Sequence, residues 1–169
     1  RPQTPVPAMP AGVEYENVTV RARDGVQLHG WYIPSRNGAA VVTYPREWTI
    51  DHAVMLADQG YGVLLLDMRG YGTSEGDPMA FGWGCAKDID AGVAYLQTRP
   101  DVQDGRIGGL GLSVGGEQMI EAAAANPMLE AVVADGPGER SVRESLIRGP
   151  KGYFTVPMMA VQTAALAVF

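Results

Sequence analysis

Gly111-Leu112-Ser113-Val114-Gly115 decides the reading of this chain. It follows a run, Arg106 to Leu112, whose length and apolar character predict a buried strand. It precedes Val114 to Ala125, whose small and apolar residues predict a helix. A serine between two glycines at a strand-to-helix junction suits a sharp turn, because glycine lets backbones meet where a side chain would clash. Such a turn exposes the hydroxyl at the end of a sheet and sets it before a helix N-terminus, whose free N–H groups favour developing negative charge. Ser113 is the expected nucleophile, and the N–H of Val114 the expected first oxyanion donor.

Outward from this turn the pattern alternates. Tyr15 to Val20 and Val26 to Ile33 predict two strands joined at Arg23-Asp24-Gly25, an Asp-Gly hairpin signal. Ala39 to Tyr44 and Gly62 to Asp67 are short apolar runs of the kind covered on both faces. Helices are expected over Asp51 to Gln59 and over Cys85 to Thr98, the second stopping before Pro100. A strand over Leu129 to Asp135, a helix around Glu139 to Ile147 and an apolar ending from Tyr153 to Phe169 complete the chain. A hairpin followed by alternating strands and helices predicts an α/β fold, a mostly parallel sheet with helices on both faces.

A second motif ends the Gly62 to Asp67 strand: Asp67-Met68-Arg69-Gly70-Tyr71-Gly72-Thr73-Ser74. Its Asp and Arg are expected to pair and pin a glycine-turned loop. The stretch Gly60 to Ser74, followed later by Gly-x-Ser-x-Gly, resembles the α/β-hydrolase superfamily, nearest its esterase, dienelactone-hydrolase-like and prolyl-oligopeptidase-like branches. The resemblance covers about Val13 to Asp135. It implies a serine hydrolase acting on carboxylic esters or related acyl bonds, with a His base, an acid that orients it, and a second oxyanion donor after the third strand. The family has His-Gly at that place; here Tyr44-Pro45 stands instead. Proline has no N–H, so Arg46 becomes the second donor, its side chain being either a substrate-carboxylate contact or a solvated arginine.

The family places the acid and then the histidine after the nucleophile, and no histidine follows Ser113. Asp135, at the end of the next strand, is a candidate acid beside a plain turn role. His52 is a candidate base by reach alone, against the plain reading of a helix-surface histidine. His29 lies mid-strand in the hairpin. Six strands are expected where the family core has eight; the two lacking would carry the acid and the histidine. The expectation is therefore the N-terminal part of a longer hydrolase, with the rest of the triad outside this chain and the remaining C-terminal part a candidate partner polypeptide. The rival expectation is a hydrolase-shaped binding protein without turnover. A dinucleotide site is disfavoured, because Gly109-Leu110-Gly111 and Gly115 give the wrong glycine spacing at the wrong strand.

Composition bounds the rest. The chain has 169 residues, 13 basic against 19 acidic side chains and a net charge of −6, which disfavours nucleic acid as a partner. One cysteine, Cys85, and two histidines form no metal-ligand cluster, so neither metal nor cofactor is expected. The small-molecule partner is an ester or acyl substrate. Residues 1–12 are proline-rich and expected as a tail or linker, 13–138 as the partial core, and 139–169 as a helical lid or cap. The charge-free stretch Phe154 to Phe169 is shorter than a spanning helix requires. Cytoplasmic and exported locations, the latter after removal of a leader, both remain open.

Overall fold

The computed structural model describes residues 8–78 and 84–138. Nine elements run in the order β1 (Glu16–Arg21), β2 (Gln27–Ile33), β3 (Ala40–Tyr44), α1 (Arg46–Asp58), β4 (Gly62–Leu66), α2 (Ala86–Gln97), β5 (Ile107–Leu112), α3 (Val114–Ala125) and β6 (Ala131–Asp135). The expected helices from Glu139 and over Tyr153 to Phe169, and part of the loop before α2, lie outside the described residues. The chain divides between Pro137 and Gly138 into two units, and the first holds all nine elements.

The sheet order is β1-β2-β4-β3-β5-β6. β1 and β2 form an antiparallel hairpin, and β2 pairs antiparallel with β4. The strands β4, β3, β5 and β6 are parallel. The Asp-Gly turn closes the hairpin as expected: Gly25 has φ 89°, and the Ala22 N–H donates to the Val26 carbonyl at 2.9 Å.

Strand alternation sends side chains to two separate cores. Val63 and Leu65 of β4 pack with Ile33, Ile50 and Ala53, on the α1 face. Leu64 and Leu66 pack with Val42, Ile89, Leu96 and Met119, on the α2 and α3 face. Met9, inside the expected tail, is also buried in the α1-face cluster.

Two boundaries differ from expectation by more than one residue. Helix α1 starts at Arg46 rather than Asp51. Pro45 takes the N-cap position with an extended backbone, the Trp48 N–H donates to the Pro45 carbonyl at 3.2 Å, and the Thr49 hydroxyl lies 3.0 Å from it. Strand β6 starts at Ala131, because Leu129 closes a turn back to the Asn126 carbonyl.

The topology places the site. The connection after β3 runs to α1 on one face, and the one after β5 runs to α3 on the other. Since β3 and β5 are neighbours, their carboxyl ends form the topological switch point at which open α/β sheets build their ligand crevice. Tyr44 and Gly111 are paired in register at that crevice.

Candidate active site

Ser113 links β5 to α3 at φ 51° and ψ −122°, and it is the one non-glycine residue with positive φ among the described residues. An L side chain holds such a backbone only where its surroundings enforce it. The surroundings are backbone. A Cβ on Gly111 would collide with the Gly115 carbonyl, and a Cβ on Gly115 with the Tyr44 carbonyl and the Pro45 ring. The Gly-x-Ser-x-Gly glycines thus let α3 descend onto β5 and β3. The Ser113 N–H donates to the Asp135 carbonyl at 2.8 Å, which ties the turn to β6. The serine itself is exposed. Behind it the N–H of Val114, first residue of α3, has no intrahelical acceptor and points with the positive end of the helix.

Across the crevice, the Tyr44–Arg46 segment bridges β3 and α1. As the first residue of α1, Arg46 carries an N–H free of the helix ladder. Its side chain is neither solvated nor free for a substrate carboxylate. It is buried, its Nη2 donates to Asp67 Oδ2 at 2.8 Å, its Nε lies 2.6 Å from Asp67 Oδ1, and it stacks 4.3 Å from the Trp31 ring. Asp67 is fully buried and also accepts the Thr73 N–H at 3.1 Å. Burial pushes its carboxyl above the usual carboxylate range, against the opposing pull of Thr73 and Arg46.

The expected pairing of Asp67 with Arg69 does not form. Arg69 grips Asp88 instead, its Nε 3.1 Å from both carboxylate oxygens, and its Nη1 reaches Asp24 at 2.8 Å. Lys87 closes on the same Asp24 at 2.7 Å. These bonds, Arg69 first, hold the Asp24 carboxyl far below its ordinary value. The Tyr44 hydroxyl donates to Asp88 at 3.2 Å. Beside it, burial pushes the Cys85 thiol up to about 11, with the Asp88 charge adding to the effect. Asp88 and Trp31 went unnoticed in the sequence, and Asp24 was read only as a turn residue. A lone arginine in a buried glycine loop demands a carboxylate, but no spacing rule points to one 19 or 45 residues away.

Asp135 is exposed and touches the turn through its backbone. His29 sits in the hairpin, its Nδ1 3.1 Å from Thr19 Oγ1 and its N–H donating to Ser74 Oγ at 2.8 Å. His52, on α1, keeps a buried Nδ1 without a hydrogen bond. Neither histidine hydrogen-bonds to Ser113 or Asp135. Among the described residues no group of three or more His, Cys, Asp or Glu could hold a metal, and no helix is long and apolar enough to cross a membrane.

Similarity follows the same outline. The chain is 31% identical over 126 residues to the uncharacterized protein YfhR of Salmonella typhi, covering 67% of this chain and 42% of that protein. It is 33% identical over 111 residues to the alpha/beta hydrolase domain-containing protein WAV2 of Arabidopsis thaliana, covering 60% and 35%. The chain therefore spans less than half of these relatives. Among solved structures, the Pyrococcus furiosus esterase Pf2001 superposes with TM-score 0.72 and 27% identity over 94% of this chain and 70% of that one. The α/β hydrolase GrgF from Penicillium sp. sh18 does so with 0.67 and 26%, over 80% and 52%. Residues 1–167 match the X-Pro dipeptidyl-peptidase (S15) family, and with the fold and the serine turn now described, the chain belongs to that family within the α/β-hydrolase superfamily.

Proposed function

We propose that the protein carrying this chain is a serine acyl hydrolase that cleaves carboxylic esters or related acyl bonds. One observation carries the reading: an exposed serine is held at a backbone conformation that L residues avoid, directly before a helix N-terminus. Ser113 Oγ attacks the acyl carbonyl. The N–H groups of Val114 and Arg46 hold the oxyanion. A histidine outside this chain takes the serine proton and returns it to the leaving alcohol, and an acid outside this chain orients that histidine. The resulting acyl-enzyme is released by water along the same route. The esterase Pf2001 supports the ester class, and the family description makes an X-Pro peptide bond the competing substrate.

The test uses the full-length protein with a fluorophosphonate probe, then a p-nitrophenyl ester and an Xaa-Pro anilide. Labelling should map to Ser113 and vanish in Ser113→Ala, with ester turnover exceeding anilide turnover. An unlabelled Ser113 in a folded protein would leave a hydrolase-shaped binding protein as the answer. Preferred anilide turnover would move the substrate to peptides.

A further inference from the structure

We infer that the buried carboxylates Asp67 and Asp88 are positioning residues that hold the Tyr44–Arg46 segment against the serine turn; this rests on the reading of Ser113 as nucleophile and of Arg46 N–H as oxyanion donor. The segment is gripped on both flanks. On one, the fully buried Tyr44 hydroxyl donates to Asp88, which is itself fully buried and held by Arg69. On the other, the Arg46 guanidinium donates from Nη2 to Asp67 Oδ2 with its Nε in ion-pair contact with Oδ1, stacked against Trp31. The two carboxylates come from different elements, one in α2 and one at the end of β4. Between the two grips, the Tyr44 carbonyl and the Pro45 ring press on Gly115, two residues past the nucleophile.

Buried ion pairs are poor stabilisers, since desolvation offsets most of the attraction and apolar side chains would hold a fold as well. A forked guanidinium and a hydroxyl supply direction instead. Direction matters for an oxyanion donor, whose loss costs roughly 10²–10³ in kcat and whose displacement by about 1 Å is already felt. The carboxylates touch neither substrate nor the reacting atoms; they act through the backbone between them.

The test compares full-length wild type with Tyr44→Phe, which keeps the ring, and Arg46→Lys, which keeps the charge but loses the fork. Active sites are titrated with the fluorophosphonate, and kcat per titrated site, KM on a p-nitrophenyl ester and affinity for a boronic acid are measured. Both variants should lose about tenfold or more in kcat per titrated site, with KM within about twofold. Affinity for the boronic acid, a tetrahedral anion mimic, should fall in step. Fewer titratable sites with unchanged kcat at each would make the two grips merely structural and overturn the inference, while the nucleophile reading stands. A folded wild type that is not labelled at Ser113 would overturn both.

Discussion

Replacing Ser113 by glycine should make the protein more stable while removing its nucleophile. The magnitude follows from the turn. At φ 51° and ψ −122° an L residue carries about 1–3 kcal/mol of backbone strain, which glycine does not. Glycine loses about 0.5–1 kcal/mol of that gain through its freer unfolded chain. The net is about 1.3 kcal/mol in favour of glycine, and for a domain of roughly 150–250 residues each kcal/mol moves the melting temperature by about 2–4 °C. Ser113→Ala is the proper reference, because it keeps the Cβ and the strain and removes only an exposed hydroxyl. Thermal melts followed by circular dichroism should place Ser113→Gly about 3–5 °C above Ser113→Ala. A glycine variant melting at or below the alanine variant would show that the turn is relaxed, and the argument from strain to function would fail.

Three further outcomes are expected. Gly115→Ala drives a Cβ into the Tyr44 carbonyl and the Pro45 ring, so urea titration should show a loss of about 1–3 kcal/mol, and a loss under 0.5 would contradict the close approach. Cys85 is fully buried with its thiol near 11, so at pH 8 only about a thousandth is thiolate; a disulfide reagent should leave Cys85 unmodified in the native protein and modify it after denaturation. Asp101 accepts the buried Tyr32 hydroxyl and the Ser35 N–H, both at 2.7 Å, and despite the opposing effect of burial its carboxyl is held below its ordinary value. A depressed carboxylate stabilises above its unfolded value, near 3.9, and loses this as pH falls through its folded value. The stability gap between wild type and Asp101→Asn should thus be constant from pH 7 to about 5 and close below about pH 4; a gap that widens on acidification would reverse the assignment.

The parts that were legible in the sequence are those governed by neighbours along the chain. Short apolar runs gave away the parallel strands, and alternation around the Asp-Gly turn gave away the two hairpin strands. The Asp-Gly turn and the glycines around Ser113 announced themselves, since only glycine solves those backbone problems. Helix α1 was read five residues short because Arg46-Glu47-Trp48 looks like loop; the first turn of the helix buries its arginine against a carboxylate 21 residues on. The same limit hid the true partners of Arg69. Ion pairs across a fold leave no periodicity, so charge counting along the chain put Asp67 with the nearest arginine, two residues away. The sheet order was equally silent, because a crossover past a neighbouring strand costs no change in residue pattern.

The contact of α3 with the sheet has a consequence for how such a protein diversifies. Gly111 lies under the Gly115 carbonyl and Gly115 over the Tyr44 carbonyl, so each of these two positions forbids even one added carbon. Mutational drift therefore cannot slide or tilt the serine to suit a new acyl group. Selection for a different substrate has to act elsewhere, and a saturation library spent on Gly111 and Gly115 would return mostly unfolded clones.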